Sequence, residues 1–176
     1  HLDGNERSQV TNNRSINLSP SWNRDGRSVL YTSYQDGSPG LYLFDLFAGK
    51  EIKVSRTGHS LGGKWSPDGH TVAVTLERDG NTDLYLLDQT GKVLRRLTND
   101  PGIDVSPAWS PDGNRLAFVS NRGGSPQIYV MELSNGSVRP LLIQEATILL
   151  LIGLLRATRS FTRAGRTGAL IFLPFE

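Results

Sequence analysis

The sequence predicts an all-β protein: a β-propeller of four-stranded antiparallel blades, with about four blades present. Three observations carry this. A Trp-centred segment recurs as Ser19-Pro20-Ser21-Trp22-Asn23-Arg24-Asp25-Gly26, Gly63-Lys64-Trp65-Ser66-Pro67-Asp68-Gly69 and Ser106-Pro107-Ala108-Trp109-Ser110-Pro111-Asp112-Gly113. Trp65 follows Trp22 by 43 residues and Trp109 follows Trp65 by 44, a period that suits a four-stranded blade. Between these markers, short β-rich runs alternate with Gly-containing turns, and no segment of residues 1–142 keeps a helical period over a useful length.

Each repeat reads as four strands in order. The Trp segment is the first strand, and the Pro-Asp-Gly (or Arg-Asp-Gly) that follows turns the chain, with Gly supplying a positive φ. The second strand is Ser28 to Thr32, Thr71 to Thr75 or Arg115 to Val119. A turn at Asp36-Gly37, Asp79-Gly80 or Arg122-Gly123-Gly124 leads to the third strand, Leu41 to Phe44, Leu84 to Leu87 or Ile128 to Met131. Turns at Gly49, Gly91 and Gly136 lead to the fourth, Ile52 to Val54, Val93 to Leu97 and Val138 to Leu142. The opening stretch from Asp3 to Asn13 parallels Gly91 to Asp100, so residues 1–14 read as the outer strand of a preceding blade. Residues 15–57, 58–100 and 101–142 then read as successive blades. The start, His1-Leu2-Asp3-Gly4, lacks the basic and apolar regions of a signal peptide, which implies a removed leader or an internal fragment.

Composition bounds the function. The 176 residues are 37% hydrophobic and 20% charged, enough apolar content to bury a core. There is no Cys, which excludes a disulfide scaffold and a Cys-based zinc site. Nineteen basic residues against 17 acidic ones, with no basic run, give no footprint for nucleic acid. The run Ile148 to Leu155 is far short of a membrane span, so no membrane insertion is expected.

The repeat fails after Leu142 and then returns, because Phe161 lies 43 residues after Phe118. Shifting the coding frame by one base from Gln144 onward permits a Trp-Ser-Pro-x-Gly string whose Trp falls 43 residues after Trp109. Residues 143–176 therefore read as a fourth blade that is frame-shifted over about 143 to 160. The alternative is a divergent insertion that has lost the Trp and the Pro-Asp-Gly turn.

Trp-Ser-Pro-Asp-Gly, the strand after it and Asp-Leu-Tyr-Leu-x-Asp resemble the β-propeller repeats of the TolB family. So do Asn12 to Pro20, and Leu97-Thr98-Asn99-Asp100 with Ile103-Asp104-Val105-Ser106-Pro107. The resemblance implies a six-bladed propeller behind a small N-terminal α/β domain, so this chain is partial relative to it. It also implies a non-enzymatic interaction scaffold of the Tol–Pal cell-envelope system, periplasmic and Gram-negative, that binds the lipoprotein Pal at one mouth. Contact with TolA through the extreme N-terminus is not carried over, since this chain lacks that segment. Some members hold Ca²⁺ in the channel; no ligand set here is recognisable, and no cofactor or metal is assigned. Related repeats form the gating propellers of prolyl-oligopeptidase-type and tricorn-type peptidases, which is the alternative reading. The sequence sets no oligomeric state.

The three tryptophans read as structural wedges between blades. Asp25-Gly26, Asp68-Gly69 and Asp112-Gly113 read as turns, as does Asp79-Gly80-Asn81-Thr82-Asp83 despite its alternating oxygens. Catalytic signals are poor: His59 and His70 are isolated, and there is neither His-Glu-x-x-His nor Gly-x-Ser-x-Gly. The informative positions are the loops entering each first strand, which differ between repeats while the scaffold does not. They supply the candidate partner-binding residues Ile16, Asn17, Leu18, His59, Ser60, Leu61, Ile103, Asp104 and Val105. Apolar tips among hydrogen-bonding groups suit a protein interface. Ile16, Leu18, Ile103 and Val105 packing a funnel is the competing reading. Replacing His59 or Asp104 by Ala is expected to weaken partner binding with little loss of stability.

Overall fold

The computed structural model describes residues 9–55 and 59–141. Residues 1–8, 56–58 and 142–176 lie outside that description, so the proposed fourth blade does too. Twelve strands fall into three four-stranded antiparallel sheets, each a simple meander. The first holds β1 (Asn17–Trp22), β2 (Ser28–Ser33), β3 (Gly40–Asp45) and β4 (Lys50–Lys53). The second holds β5 (His59–Trp65), β6 (Thr71–Arg78), β7 (Asn81–Asp88) and β8 (Val93–Arg96). The third holds β9 (Asp104–Trp109), β10 (Arg115–Ser120), β11 (Gln127–Glu132) and β12 (Val138–Pro140). Among the described residues there is no helix.

Two of the second strands, β2 and β6, are near-continuous buried runs because sheets press on one another face to face, whereas β10 alternates buried and half-buried residues. All of β2 is buried, as are Val72 to Leu76 of β6. Leu30, Leu41 and Val54 of the first sheet pack with Trp65, Val72, Val74, Leu76, Tyr85 and Leu87 of the second. Leu84 and Leu97 of the second pack with Phe118, Tyr129 and Met131 of the third. Sheets meet through their first strands: β5 touches β1, β2 and β3, and β9 touches β5, β6 and β7. That places β1, β5 and β9 innermost. The outer strands β4 and β8 are exposed at every residue and carry Lys50, Lys53, Arg95 and Arg96, which discourages pairing with another chain.

The indoles are not equivalent, which corrects the expectation of three buried wedges. Trp65 is buried, and Trp109 is half-buried with Nε1 donating to the Lys64 carbonyl at 2.9 Å. Trp22 is 62% exposed. Trp65 and Trp109 turn toward the preceding sheet, and among the described residues no sheet precedes the first.

The aspartate turns fold as expected. Gly26, Gly69 and Gly113 hold φ of 65°, 77° and 74°. Asp79 and Gly80 form a two-residue hairpin with φ of 54° and 78°, and Arg78 pairs with Asn81 across it. Each first strand also carries an irregularity, between Leu18 and Ser21, between Leu61 and Lys64, and opposite Ala117 to Val119. Ser19, Gly62 and Ser106 sit there at φ of 53°, 62° and 57°. This bulge separates the Trp half of each first strand from the half that leads to the variable loops.

Candidate functional site

One end of the sheets collects the loops that enter β1, β5 and β9 together with the hairpins that follow β2, β6 and β10. This end is the mouth. Asn17, Ser60 and Asp104 occupy the same place in their repeats, five residues before the tryptophan. They face Ser33, Leu76 and Ser120 on the neighbouring second strands.

The sequence-derived candidates separate into two groups here. Ile16, Leu18, Leu61 and Ile103 are exposed, at 63%, 47%, 39% and 52%. His59 is exposed as well, with Nδ1 3.0 Å from Glu77 Oε2. Val105 and Asn17 are half-buried. Ser60 and Asp104 are fully buried. The exposed apolar tips lie on a rigid frame. Ser60 N–H donates to the Pro39 carbonyl at 3.0 Å, and Gly62 N–H to Thr32 Oγ1 at 3.1 Å, so β5 is tied to the first sheet. Asn81 Nδ2 donates to the Asp100 carbonyl at 2.8 Å, and Ile103 N–H to Asn121 Oδ1 at 2.7 Å.

Below the tips lies a polar layer that differs in each repeat. In the first, Asn17 Nδ2 donates to Asn13 Oδ1 at 2.9 Å, and Asn13 Nδ2 donates to Gln35 Oε1 at 2.6 Å. In the third, Arg122 Nη2 donates to both carboxylate oxygens of Asp104, at 3.0 and 2.8 Å, and its Nε donates to Ser120 Oγ at 2.9 Å. The Arg122 guanidinium also lies 5.2 Å from the Phe118 ring centre and 5.1 Å from that of Tyr129. In the second, the Ser60 hydroxyl is buried with no hydrogen-bond partner.

Asp104 therefore holds the shape of the mouth. The expectation that its truncation leaves stability intact is corrected, because Ala would strand the Arg122 charge at a site only 18% exposed. Breaking a buried pair in this way costs about 3–5 kcal/mol. In the sequence Arg122 reads as turn punctuation beside Gly123-Gly124, which hides its role. Its place 18 residues after Asp104, across the β9–β10 hairpin, is the signal that could have paired them.

Among the described residues no group of three or more His, Cys, Asp or Glu side chains comes together. Asp83, in the segment with alternating oxygens, is buried and bonded to Arg96 at 2.5 Å and Thr98 at 3.1 Å. No helix among the described residues is long and apolar enough to cross a membrane.

Residues 1–149 match the family model described as the TolB beta propeller domain. The chain belongs to the TolB β-propeller family. The Tol-Pal system protein TolB of Anaeromyxobacter dehalogenans is 43% identical over 106 residues, which is 60% of this chain and 24% of that protein. The chain thus spans about a quarter of the length of the curated relatives it matches. The crystal structure of TolB from Acinetobacter baumannii superposes with a TM-score of 0.70 at 37% identity, covering 81% of this chain and 36% of that one. A prolyl endopeptidase matches at a TM-score of 0.55 and 21% identity, covering 73% of this chain and 22% of that one. That likeness shows the shared propeller fold alone.

Proposed function

We propose that the chain is a non-enzymatic binding platform of the Tol–Pal system, periplasmic, whose mouth loops dock the lipoprotein Pal. The observation that carries the proposal is the mouth itself in a member of the TolB family: four exposed apolar tips, Ile16, Leu18, Leu61 and Ile103, share one end of the sheets with the hydrogen-bonded side chains of Asn17 and Asp104. An interface draws affinity from a few well-held apolar anchors and specificity from the hydrogen-bonding groups among them. The blades supply the rigidity and the loops the contact. His59, exposed beside Glu77, adds a polar contact at the rim of this surface.

Calorimetric titration with the purified soluble domain of Pal tests it. Leu18→Ala, Leu61→Ala and Ile103→Ala should each weaken binding about tenfold, the equivalent of about 1.4 kcal/mol. Ile52→Ala, on the exposed outer strand β4, should leave affinity unchanged. Absence of Pal binding by the unsubstituted chain, or binding indifferent to all three mouth changes, would overturn the proposal.

A further inference from the structure

We propose a second binding site at the opposite end of the blades: the cleft between the second and third sheets takes the guanidinium of an arginine side chain presented by a partner polypeptide. The site is separate from the mouth and does not rest on the Pal reading. The cleft lies between the turns that follow Trp65 and Trp109. Its volume is about 310 Å³, and Ser66, Pro67, Asp68, Trp109, Asp112 and Leu133 line it.

Its walls suit a flat cation. The Trp109 indole is half-buried and fixed by its bond to the Lys64 carbonyl, so its ring orientation is set before any ligand arrives. Two carboxylates flank it. Asp68 Oδ1 accepts from the Ser66 hydroxyl at 2.5 Å and from His70 N–H at 3.0 Å. Asp112 Oδ1 accepts from the Ser110 hydroxyl at 2.5 Å and from Asn114 N–H at 3.1 Å. The turns engage Oδ1 of each, and Asp112 Oδ2 lies 4.0 Å from Arg115 Nη2. These hydrogen bonds hold both carboxyls below the usual carboxylate range, so both are charged at neutral pH. A guanidinium stacks on an indole and bonds carboxylates in one plane, which a rounder ammonium does less well.

The molecule itself supplies the comparison. At the equivalent junction between the first and second sheets, Arg24 stands where Pro67 stands in the next repeat, and its Nη1 reaches the Pro67 carbonyl at 3.5 Å. Asn23 and Gln89 also close that junction, donating to the Gly69 carbonyl at 3.5 and 3.1 Å. A β-carbon on Gly69 would meet Asn23 Oδ1 at 2.6 Å. At the second junction Ser66, Pro67 and Leu133 replace Asn23, Arg24 and Gln89. There a β-carbon on Gly113 would meet nothing nearer than Pro67 Cδ at 3.7 Å. The chain fills the first junction with Arg24; at the second, Arg95 Nη2 donates to the Leu133 carbonyl at 3.1 Å, and a space lined by Trp109, Asp68 and Asp112 remains.

The test follows the three indole N–H signals of the full chain in proton–nitrogen correlation spectra, assigned by single Trp→Phe variants. The probe is the peptide acetyl-Gly-Arg-Gly-amide. The Trp109 signal should shift saturably while those of Trp22 and Trp65 stay in place. The citrulline counterpart, same in shape but uncharged, should bind at least tenfold more weakly. Asp68→Asn with Asp112→Asn should cut binding of the arginine peptide tenfold or more. Pro67→Arg should abolish it by filling the cleft from within, whereas Pro67→Ala should retain it. Equal binding of the citrulline peptide, a Trp109 shift that does not saturate, or undiminished binding by Pro67→Arg would overturn the proposal. The indole signals of each variant report whether it has folded.

Discussion

A β-carbon on Gly91 would lie 1.8 Å from the carbonyl oxygen of Val54, and the residue holds φ of +85°. Both facts bar a side chain, but for different reasons. Gly80 separates them: its φ is +78°, and nothing lies within 4 Å of its would-be β-carbon. Gly80→Ala should cost about 1 kcal/mol from backbone strain alone. Gly91→Ala should cost about 2–3 kcal/mol more, because the backbone of one sheet must move away from its neighbour. Urea unfolding of the two variants measures the difference, and equal costs would show that the close approach of the sheets is not tight. In the sequence both glycines read as turn residues, and correctly. The contact with Val54 was not legible, because it joins residues of two different repeats. The same holds for Arg122: its partner Asp104 lies on another strand, and only pairing across the hairpin brings charge to charge. Residue types told where the chain turns; they did not tell which turns are crowded.

The elements were the most legible level, for a physical reason. The period of two in a strand and the positive φ of a turn glycine are local properties, so they leave a local trace. Left-handed Ser19 and Ser106 left none, since only Gly62 among the three equivalent positions announces the conformation. The aspartate turns carry an acid prediction. Asp68 and Asp112 are held low chiefly by the hydroxyls of Ser66 and Ser110, and Asp88 by that of Thr90. Asp36 is held low chiefly by Lys53, and Asp45 by the Ala48 N–H. All five shifts point down, so folding favours the charged carboxylates over their unfolded forms, which titrate near pH 4. Their contribution is complete above about pH 5 and is lost as pH falls through the folded values. At the other extreme, burial first and Glu51 second push the Tyr31 hydroxyl up, and burial with Asp36 does the same for Tyr42. Those raised values favour the folded state below about pH 10, and that stability is lost as pH rises further. Thermal melts from pH 3 to 11 should show a plateau between about 5 and 9 with both flanks falling. A melting temperature still rising below pH 4 would contradict this account.

At the scale of the whole molecule, the three described sheets form a chain of neighbours. The first touches the second and the second touches the third, and no strand of the first touches a strand of the third. The two apolar clusters are correspondingly separate: Trp65 with Leu30, Leu41 and Val54 at one junction, Leu84 with Phe118, Tyr129 and Met131 at the other. Stability in such an array is approximately a sum of unit terms and nearest-neighbour terms. Leu84 is fully buried and lies at the second junction, so Leu84→Ala should cost about 2–5 kcal/mol there. The loss should stay local. Amide hydrogen exchange should quicken in β7, β10 and β11, while the amides of β2 and β3 keep most of their protection, since the Trp65 cluster is untouched. The same separation lets the mouth and the arginine cleft be perturbed one at a time. If Leu84→Ala instead raises exchange equally across all three sheets, the described blades unfold as one cooperative unit, and coupling between the two ends of the molecule would follow from that.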